Sequence, residues 1–282
     1  MIRLVTPAGV VTTVAGTYSG VSGYCDTTQP RFSSHAGAWD GVGTSAKIWT
    51  PSPMVMHPSG SYAVLADGAN LIRNVTTDTY TVSTFAGICA NYYMRTGYPT
   101  YMYNAASYSS NGDVNTAYTS GGPTLGYVNA LAFDSTGSTL YFADTSNYAI
   151  RKISGNVVSQ VIANTIPNAY GMAVDSSGNV YVSTSSSALS TYPNGLATTC
   201  GATNCDVIFK ITPGGSASVF AGSGTAGYLD ATGTSAQFKY PWGMTFDGNG
   251  NLLVVRNLCV SARCHGVRSA CGCQREPCGS AL

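Results

Sequence analysis

The residues of this sequence that could do chemistry recur in pairs. Asp67 is followed by Arg73, and Asp144 is followed by Arg151, at the same place in two similar segments. A carboxylate beside a guanidinium could bind an anion or assist proton transfer. Because the pair is repeated, we interpret it instead as a structural ion pair, in which the Asp gives a buried Arg the partner it needs.

A second recurring motif is a loop with one carboxylate, several hydroxyls and exposed carbonyls. It reads Asp40-Gly41-Val42-Gly43-Thr44-Ser45-Ala46 and returns as Asp230-Ala231-Thr232-Gly233-Thr234-Ser235-Ala236. Calcium takes about six to eight oxygen ligands, so one carboxylate per loop makes calcium a minor alternative. We favour turns fixed by Asp and Thr side chains, and we keep Asp40 and Asp230 as candidate ligand-binding residues.

Signals for catalysis or for nucleic-acid binding are weak. The three histidines, His35, His57 and His265, lie in unrelated contexts, and no Gly-x-Ser-x-Gly motif precedes a helix. The 13 Lys and Arg nearly balance the 12 Asp and Glu, which disfavours a nucleic-acid partner. No apolar run is long enough to span a bilayer, and the start of the chain lacks the apolar stretch of a signal peptide. We therefore expect no catalytic residue, no bound metal and no transmembrane segment.

The nine cysteines favour an oxidising environment. Cys200 and Cys205 could close a small disulfide loop, and Cys25 and Cys89 are further disulfide candidates, with free buried thiols as the alternative. Together with a charged fraction of 9%, this indicates an extracellular or cell-surface location. A zinc site near the end of the chain is a minor alternative, because paired Cys-x2-Cys motifs are missing there. Its permissible ligands are Cys259, Cys264, His265, Cys271, Cys273 and Cys278.

The elements that must position these residues are hairpins of two kinds, each occurring four times. One kind starts with an Ile-rich strand and ends near Ala or Ala-Gly, with copies beginning at Ile2, Ile72, Ile150 and Ile208. The other kind is centred on a turn with Gly, and three of its copies have Asp before the Gly. Its copies begin at Met54, Leu131, Met172 and Met244.

Two such hairpins in series form a four-stranded antiparallel sheet, with about 41 residues between Asp134 and Asp175. A sheet that is apolar on both faces can bury them only by stacking against similar sheets around an axis. The sequence therefore predicts an all-β fold, a β-propeller of four-stranded antiparallel blades. Either the ring closes with four blades, the last built from both ends of the chain, or the chain is an open fragment of a larger propeller.

These columns resemble the NHL repeat, most fully in Asp144-Thr145-Ser146-Asn147-Tyr148-Ala149-Ile150-Arg151-Lys152-Ile153. The resemblance covers residues 2 to about 255, with insertions at 88–127 and 184–205. It implies a β-propeller domain over residues 1–255. Residues 256–282 lack the repeat, and we interpret them as a disordered or aberrant Cys-rich tail. The NHL family includes zinc-dependent amidating lyases. The scattered histidines of this sequence do not support a zinc site of that kind.

Aromatic residues carry the strongest binding signal. Tyr170 and Trp242 occupy the same column, just before the innermost strand, and should flank one mouth of the central channel. Aromatic side chains among Asn, Ser and Gly suit recognition of a protein loop or a carbohydrate. We therefore expect a non-enzymatic binding or scaffold module that uses a propeller face and the long insertions. The alternatives are a hydrolase or lyase with a channel metal, and a segment of a longer polypeptide with further blades.

Overall fold

The structure is a computed structural model. It describes residues 1–17, 40–48, 50–68, 70–87, 111–114, 123–163, 166, 168–185 and 205–256, with only the backbone of residue 256. Within these ranges the chain forms β-strands and three 3-10 turns, Gly43–Ser45, Thr145–Asn147 and Gly233–Ser235. No helix in this part of the chain has the length and apolar character needed to cross a membrane.

Eighteen strands are described, many of them rich in the β-branched and aromatic residues that pleated sheets favour. They are β1 (Ile2–Val5), β2 (Val11–Ala15), β3 (Gly41–Val42), β4 (Pro51–Met56), β5 (Tyr62–Asp67), β6 (Leu71–Thr76), β7 (Thr81–Gly87), β8 (Gly112–Asp113), β9 (Val128–Phe133), β10 (Thr139–Asp144), β11 (Ala149–Ser154), β12 (Val157–Ile162), β13 (Ala169–Val174), β14 (Val180–Thr184), β15 (Asp206–Ile211), β16 (Ala217–Gly224), β17 (Pro241–Phe246) and β18 (Leu252–Arg256).

Three of the five sheets contain four consecutive antiparallel strands in chain order. Blade 1 consists of β4 to β7, blade 2 of β9 to β12 and blade 3 of β13 to β16. The short strands β3 and β8 extend the outer edges of blades 1 and 2 by pairing with β7 and β12. The N-terminal hairpin (β1–β2) and the C-terminal hairpin (β17–β18) form two separate two-stranded sheets.

The blades stack face to face with their first strands side by side. Strand β9 packs beside β4 and β13, and β13 packs beside β17. Ile72 of blade 1 and Phe142 of blade 2 share one buried cluster, while Ile150 of blade 2 and Phe209 of blade 3 share the next. Burying one such side chain stabilises the fold by about 1.5–3 kcal/mol. Stacked four-stranded sheets with adjacent inner strands confirm the prediction of an all-β fold made of propeller blades.

The two terminal hairpins each cover one end of this stack. Ile2 and Ala15 of the N-terminal hairpin pack with Ile48 and Leu65 next to blade 1, and β17 packs on blade 3. The four-blade closure, one of the two alternatives, would pair residues 2–16 with the strands around β17 and β18. It is not formed, because the two hairpins belong to different sheets. Of the two architectures considered, the described strands therefore show the open array.

The first hairpins of blades 2 and 3 and the C-terminal hairpin are held by the Asp turn that the sequence predicted, whereas blade 1 has His57 at that place. In blade 3, Asp175 Oδ1 accepts the backbone N–H groups of Ser177 and Asn179, both at 2.9 Å. Its Oδ2 accepts the Asn179 side-chain amide at 2.8 Å. Gly178 supplies the positive φ of +78° that closes the turn. One carboxylate thus accepts two backbone N–H groups of the turn, while the Gly178 N–H donates to the Asp175 backbone carbonyl at 3.0 Å.

In blade 1 the first turn contains His57, which contacts the first turn of blade 2. Its ring stacks on Tyr62 with centroids 4.4 Å apart and meets the edge of Phe133 at 5.0 Å. Its Nε2 lies 3.2 Å from the carbonyl oxygen of Gly137 in blade 2. This histidine therefore ties the first hairpins of blades 1 and 2 together.

The structure also refines the predicted insertions and tail. Residues 111–114 belong to blade 2 through β8, so this part of the predicted insertion 88–127 is part of a blade. Thr184 ends β14 and Cys205 immediately precedes β15, while residues 186–204 lie outside the described residues. Of the predicted tail 256–282, only residue 256 is described, as the last residue of β18.

Candidate ligand-binding site

One end of the blade stack carries four equivalent positions at the second residue of each inner strand. At each of them the pairing of the inner strand with the next strand shifts register. Such a bulge bends the strand and re-aims the side chain at that place. We call these four positions the rim. They are Ser52, Asn129, Tyr170 and Trp242.

The two aromatic rim residues stack on each other. The ring centroids of Tyr170 and Trp242 are 4.4 Å apart, with 28° between the ring planes. Trp242 is 45% exposed, whereas Tyr170 is half-buried. The sequence placed both residues just before the innermost strand, and the structure puts them inside β13 and β17. The pair forms a partly exposed aromatic surface at the rim.

Backbone contacts hold this pair in place. Gly171 lies so close to the Trp242 carbonyl that a Cβ atom there would overlap with the oxygen. Ser183 Oγ donates a hydrogen bond of 2.7 Å to the same carbonyl. These contacts fix the backbone at position 242, and the stacking on Tyr170 holds the indole itself.

Polar groups next to the aromatic pair are also fixed by the fold. Burial raises the pKa of Tyr170, and the nearby Tyr240 adds to the shift, so the Tyr170 phenol keeps its proton at neutral pH. The backbone N–H of Tyr240 donates to Asp206 Oδ1 at 3.1 Å. Burial raises the pKa of Asp206, while hydrogen bonds from Ser185 and Tyr240 oppose that shift. The rim thus offers a neutral hydroxyl beside an indole.

In blade 1 the repeated ion pair is buried inside the blade, and its Asp67 pairs with Pro51, the residue before the rim position Ser52. Arg73 is fully buried, and its Nη1 is 3.3 Å from Asp67 Oδ2. Its Nη2 is 2.8 Å from Asp40 Oδ1, which also accepts a hydrogen bond from Thr84 at 3.1 Å. Asp67 Oδ1 accepts the backbone N–H of Thr50 at 3.1 Å. Asp40, a candidate ligand-binding residue, therefore anchors β3 to its own blade.

Blade 2 repeats this arrangement with one substitution. Arg151 is fully buried, with Nη1 at 3.0 Å from Asp144 Oδ2 and at 2.7 Å from the Thr124 carbonyl. Its Nη2 donates to Asn111 Oδ1 at 3.2 Å. Burial raises the pKa of Asp144, and the positive charge of Arg151 opposes that shift. Asn111 thus takes the place that Asp40 has in blade 1.

The role of Asn111 was missed from the sequence, although a signal exists. Asn111-Gly112-Asp113 precedes β9 as Asp40-Gly41-Val42 precedes β4, and both segments pair with the fourth strand of their blade. The motif is a third copy of the recurring loop. It was hidden because it lies inside the segment interpreted as an insertion.

Blade 3 lacks the ion pair altogether. By strand register, Thr184 stands where blade 2 has Asp144, and Phe209 stands where it has Arg151. Thr184 Oγ1 donates to the Cys205 carbonyl at 2.7 Å. The Asp and the Arg are thus replaced together in blade 3, which agrees with their interpretation as a structural ion pair.

The remaining predicted site residues are only partly described. Asp230 is exposed in the second copy of the loop. Cys205 is buried, with its Sγ 3.7 Å from Thr184 Oγ1, whereas Cys25, Cys89, Cys200 and the cysteines after residue 256 lie outside the described residues. The disulfide pairings and the zinc alternative therefore stay predictions. Within the described ranges, no three His, Cys, Asp or Glu side chains gather into a group that could hold a metal ion.

Comparisons with known proteins give structural likenesses of low identity. The chain matches no protein-family model and no curated protein. It is similar to a gluconolactonase from Xanthomonas campestris, at 13% identity over 88% of this chain and 60% of that one, with a TM-score of 0.44. A streptogramin B lyase is similar at 15% identity over 73% of this chain, with a TM-score of 0.40.

A chain of a nidogen–laminin complex is also similar, at 13% identity over 73% of this chain and 72% of that one, with a TM-score of 0.36. The chain spans about half of the streptogramin B lyase, 48% of its length. These likenesses are too distant to assign an activity or a partner. The fold assignment rests on the stacked sheets themselves.

Proposed function

We propose that this protein is a non-enzymatic binding module that recognises a protein loop or a carbohydrate at the rim. The observation that carries the proposal is the stacked pair of Tyr170 and Trp242, with Trp242 45% exposed at the end of the inner strands. Exposed aromatic side chains on a rigid scaffold give contact area at little entropic cost.

The chemistry of the rim favours a ligand with one flat apolar face and several hydroxyl or amide groups. The indole of Trp242 can lie against such a face, while the Tyr170 phenol and the polar positions Ser52 and Asn129 can exchange hydrogen bonds with it. A pyranose ring and a Gly- or Pro-containing protein loop both meet this description. The long segments around the blades would add further contacts.

We also propose that the blades are NHL-type repeats. The support is the match of residues 144–153 to the family pattern and the close contact between the Asp and Arg of that match. This support applies to the type of repeat only. It does not indicate an activity, because one fold hosts many functions.

A binding screen with rim variants tests the proposed function. The purified chain is applied to a glycan array and to a displayed peptide library, and each hit is measured again with Trp242→Ala and Tyr170→Ala. Each substitution should weaken binding by about tenfold or more, which corresponds to about 1.4 kcal/mol.

The matched control is Tyr228→Ala, which removes an exposed aromatic side chain outside the rim. Circular dichroism establishes that all three variants keep their β-structure. The proposal is wrong if hits bind the rim variants and the control equally well, or if neither library contains a hit that depends on the rim.

A further inference from the structure

The two terminal hairpins correspond to the two halves of one blade. In the C-terminal hairpin, Met244 pairs with Val254 as Met54 pairs with Leu65 in blade 1, so β17–β18 are first and second strands. In the N-terminal hairpin, Arg3 pairs with Thr13 after a register shift, and Arg73 pairs with Thr84 in the same way in blade 1. Strands β1 and β2 therefore correspond to the third and fourth strands of a blade. Each hairpin lacks the strands that the other contains.

The C-terminal hairpin exposes apolar side chains that a complete stack buries. Leu253 and Val255 are 55% and 64% exposed. By register they correspond to Val64 and Ala66 of blade 1, which are buried against blade 2. In a longer stack this face of β18 would pack against the next blade. Within the described part of the chain, no blade covers it.

The N-terminal hairpin exposes the opposite face. Val5 and Val11 are 62% and 48% exposed. The corresponding residues of blade 1, Val75 and Val82, are buried and lie in the cluster that faces the preceding sheet. Met54 on the first strand of blade 1 is 56% exposed as well. The N-terminal hairpin and blade 1 thus expose an apolar face. The C-terminal hairpin of another copy could pack against this face.

One pair of opposite charges, Arg3 on the N-terminal hairpin and Asp230 before the C-terminal hairpin, is placed to interact. Arg3 corresponds to Arg73, which is buried between Asp40 and Asp67 in blade 1. Asp230 corresponds to Asp40, because both precede the 3-10 turn that leads to a first strand. Residue 256 stands in the Asp67 column but is Arg. Asp230 is therefore the carboxylate with which Arg3 can form the ion pair of a complete blade.

We propose that a second copy of this chain docks here, so that β18 of one copy pairs with β1 of the other and the two hairpins form one composite blade. Val254 of one copy would lie opposite Arg3 of the other, as Leu65 lies opposite Arg73 in blade 1. Asp230 of the first copy would pair with that Arg3. The proposal is independent of the rim.

A second copy fits better than closure within one chain. In a single chain the two hairpins stay in separate sheets at opposite ends of the stack of three blades. Because a strand edge offers unpaired N–H and C=O groups, it tends to recruit another chain. With three whole blades and one composite blade per copy, a ring of two copies has eight blades. That number lies within the usual range of about four to eight blades.

The test is the mass of the 282-residue chain in solution. Analytical ultracentrifugation over a range of concentrations should show a transition from 29.1 kDa to about twice that mass. Arg3→Asp and Asp230→Arg each place like charges opposite one another, so each variant should raise the dimer dissociation constant by about tenfold or more. Asp78→Arg, in the exposed turn between β6 and β7, is the charge control and should leave the constant unchanged.

Mixing the two variants separates this proposal from its rivals. In an equimolar mixture of Arg3→Asp and Asp230→Arg, both composite blades of a two-copy ring again contain opposite charges, so dimers should return at the wild-type dissociation constant. The proposal is wrong if the wild type stays a monomer at every concentration. It is also wrong if mixing does not restore the dimer, since the hairpins would then be covered within one chain or by residues 257–282.

Discussion

At the scale of single residues, the charged side chains of the repeat are buried inside the blades, whereas an aromatic side chain is exposed at the rim. Arg73 and Arg151 are fully buried and bound to carboxylates, whereas Trp242 is exposed. An Arg inside a blade needs a partner, because a buried charge without one costs several kcal/mol. The recurring Asp and Arg therefore neutralise each other's charge inside blades 1 and 2.

Blade 3 supplies the control for this interpretation. Arg151→Met leaves Asp144 buried without a cation and should lower the free energy of unfolding by about 3–5 kcal/mol. The double variant Asp144→Thr with Arg151→Phe copies Thr184 and Phe209 of blade 3 and should recover most of that loss. Urea unfolding measures both. If the double variant is no more stable than the single one, the pair is not a replaceable structural unit.

At the scale of elements, the Asp turns hold the first hairpins of blades 2 and 3. Burial opposes ionisation of Asp175, but the hydrogen bonds from Asn179, Ser177 and Tyr181 prevail and lower its pKa. The pKa of Asp134 is lowered in the same way, by Ser138, Thr139 and Thr136 against burial. Each turn is thus held by an ionised carboxylate, and its stability depends on pH.

The pH dependence follows from the sign of these shifts. A carboxyl whose pKa is lower in the folded state stabilises the fold above its unfolded pKa of about 3.9, and this stabilisation is lost as the pH falls through the folded value. Asp175→Asn should therefore lower the free energy of unfolding by about 1 kcal/mol at pH 7. The difference from the wild type should shrink in acid.

Chemical denaturation at pH 7 and in acid measures this difference. The control is Ser176→Ala, an exposed residue in the same turn, which should match the wild type at both pH values. An unchanged difference between Asp175→Asn and the wild type across the pH range would contradict the role given to the carboxylate.

At the scale of the whole molecule, stability should fall from the middle of the stack towards its ends. Blade 2 is covered on both faces, whereas each terminal hairpin has only two strands and one covered face. Two-stranded sheets are marginally stable alone, and regions with few buried contacts open most easily.

Hydrogen exchange measured at low protein concentration should show this gradient. Amides of β10 and β11 should exchange slowest, and those of β1 and β18 fastest. Raising the concentration should slow exchange in β1 and β18 if these edges pair between copies. Equal protection of β10 and β18 in the dilute protein would contradict the stacking order described above.

Much of this architecture could be predicted because its signals are local. The turn at Asp175, the strand from Ile150 and the residue types at Asp144 and Arg151 depend on neighbours within a few positions, and repetition makes each of them readable. The repeat was not recognised where one copy of the loop motif had a substitution and lay inside a segment interpreted as an insertion. Asn111 replaced the Asp of the loop motif inside a segment interpreted as an insertion, and β8 was missed for that reason.

The sequence by itself determined the hairpins, the size of the blade and the need of each sheet for neighbours, since all three follow from spacing and from apolar side chains on both faces. Only the tertiary structure decided which distant residues meet. It joined Asp40 to Arg73, stacked Tyr170 on Trp242 and kept β1 apart from β18. The physical reason is that contacts between separate strands depend on how the blades stack, and stacking geometry is a property of the packed sheets.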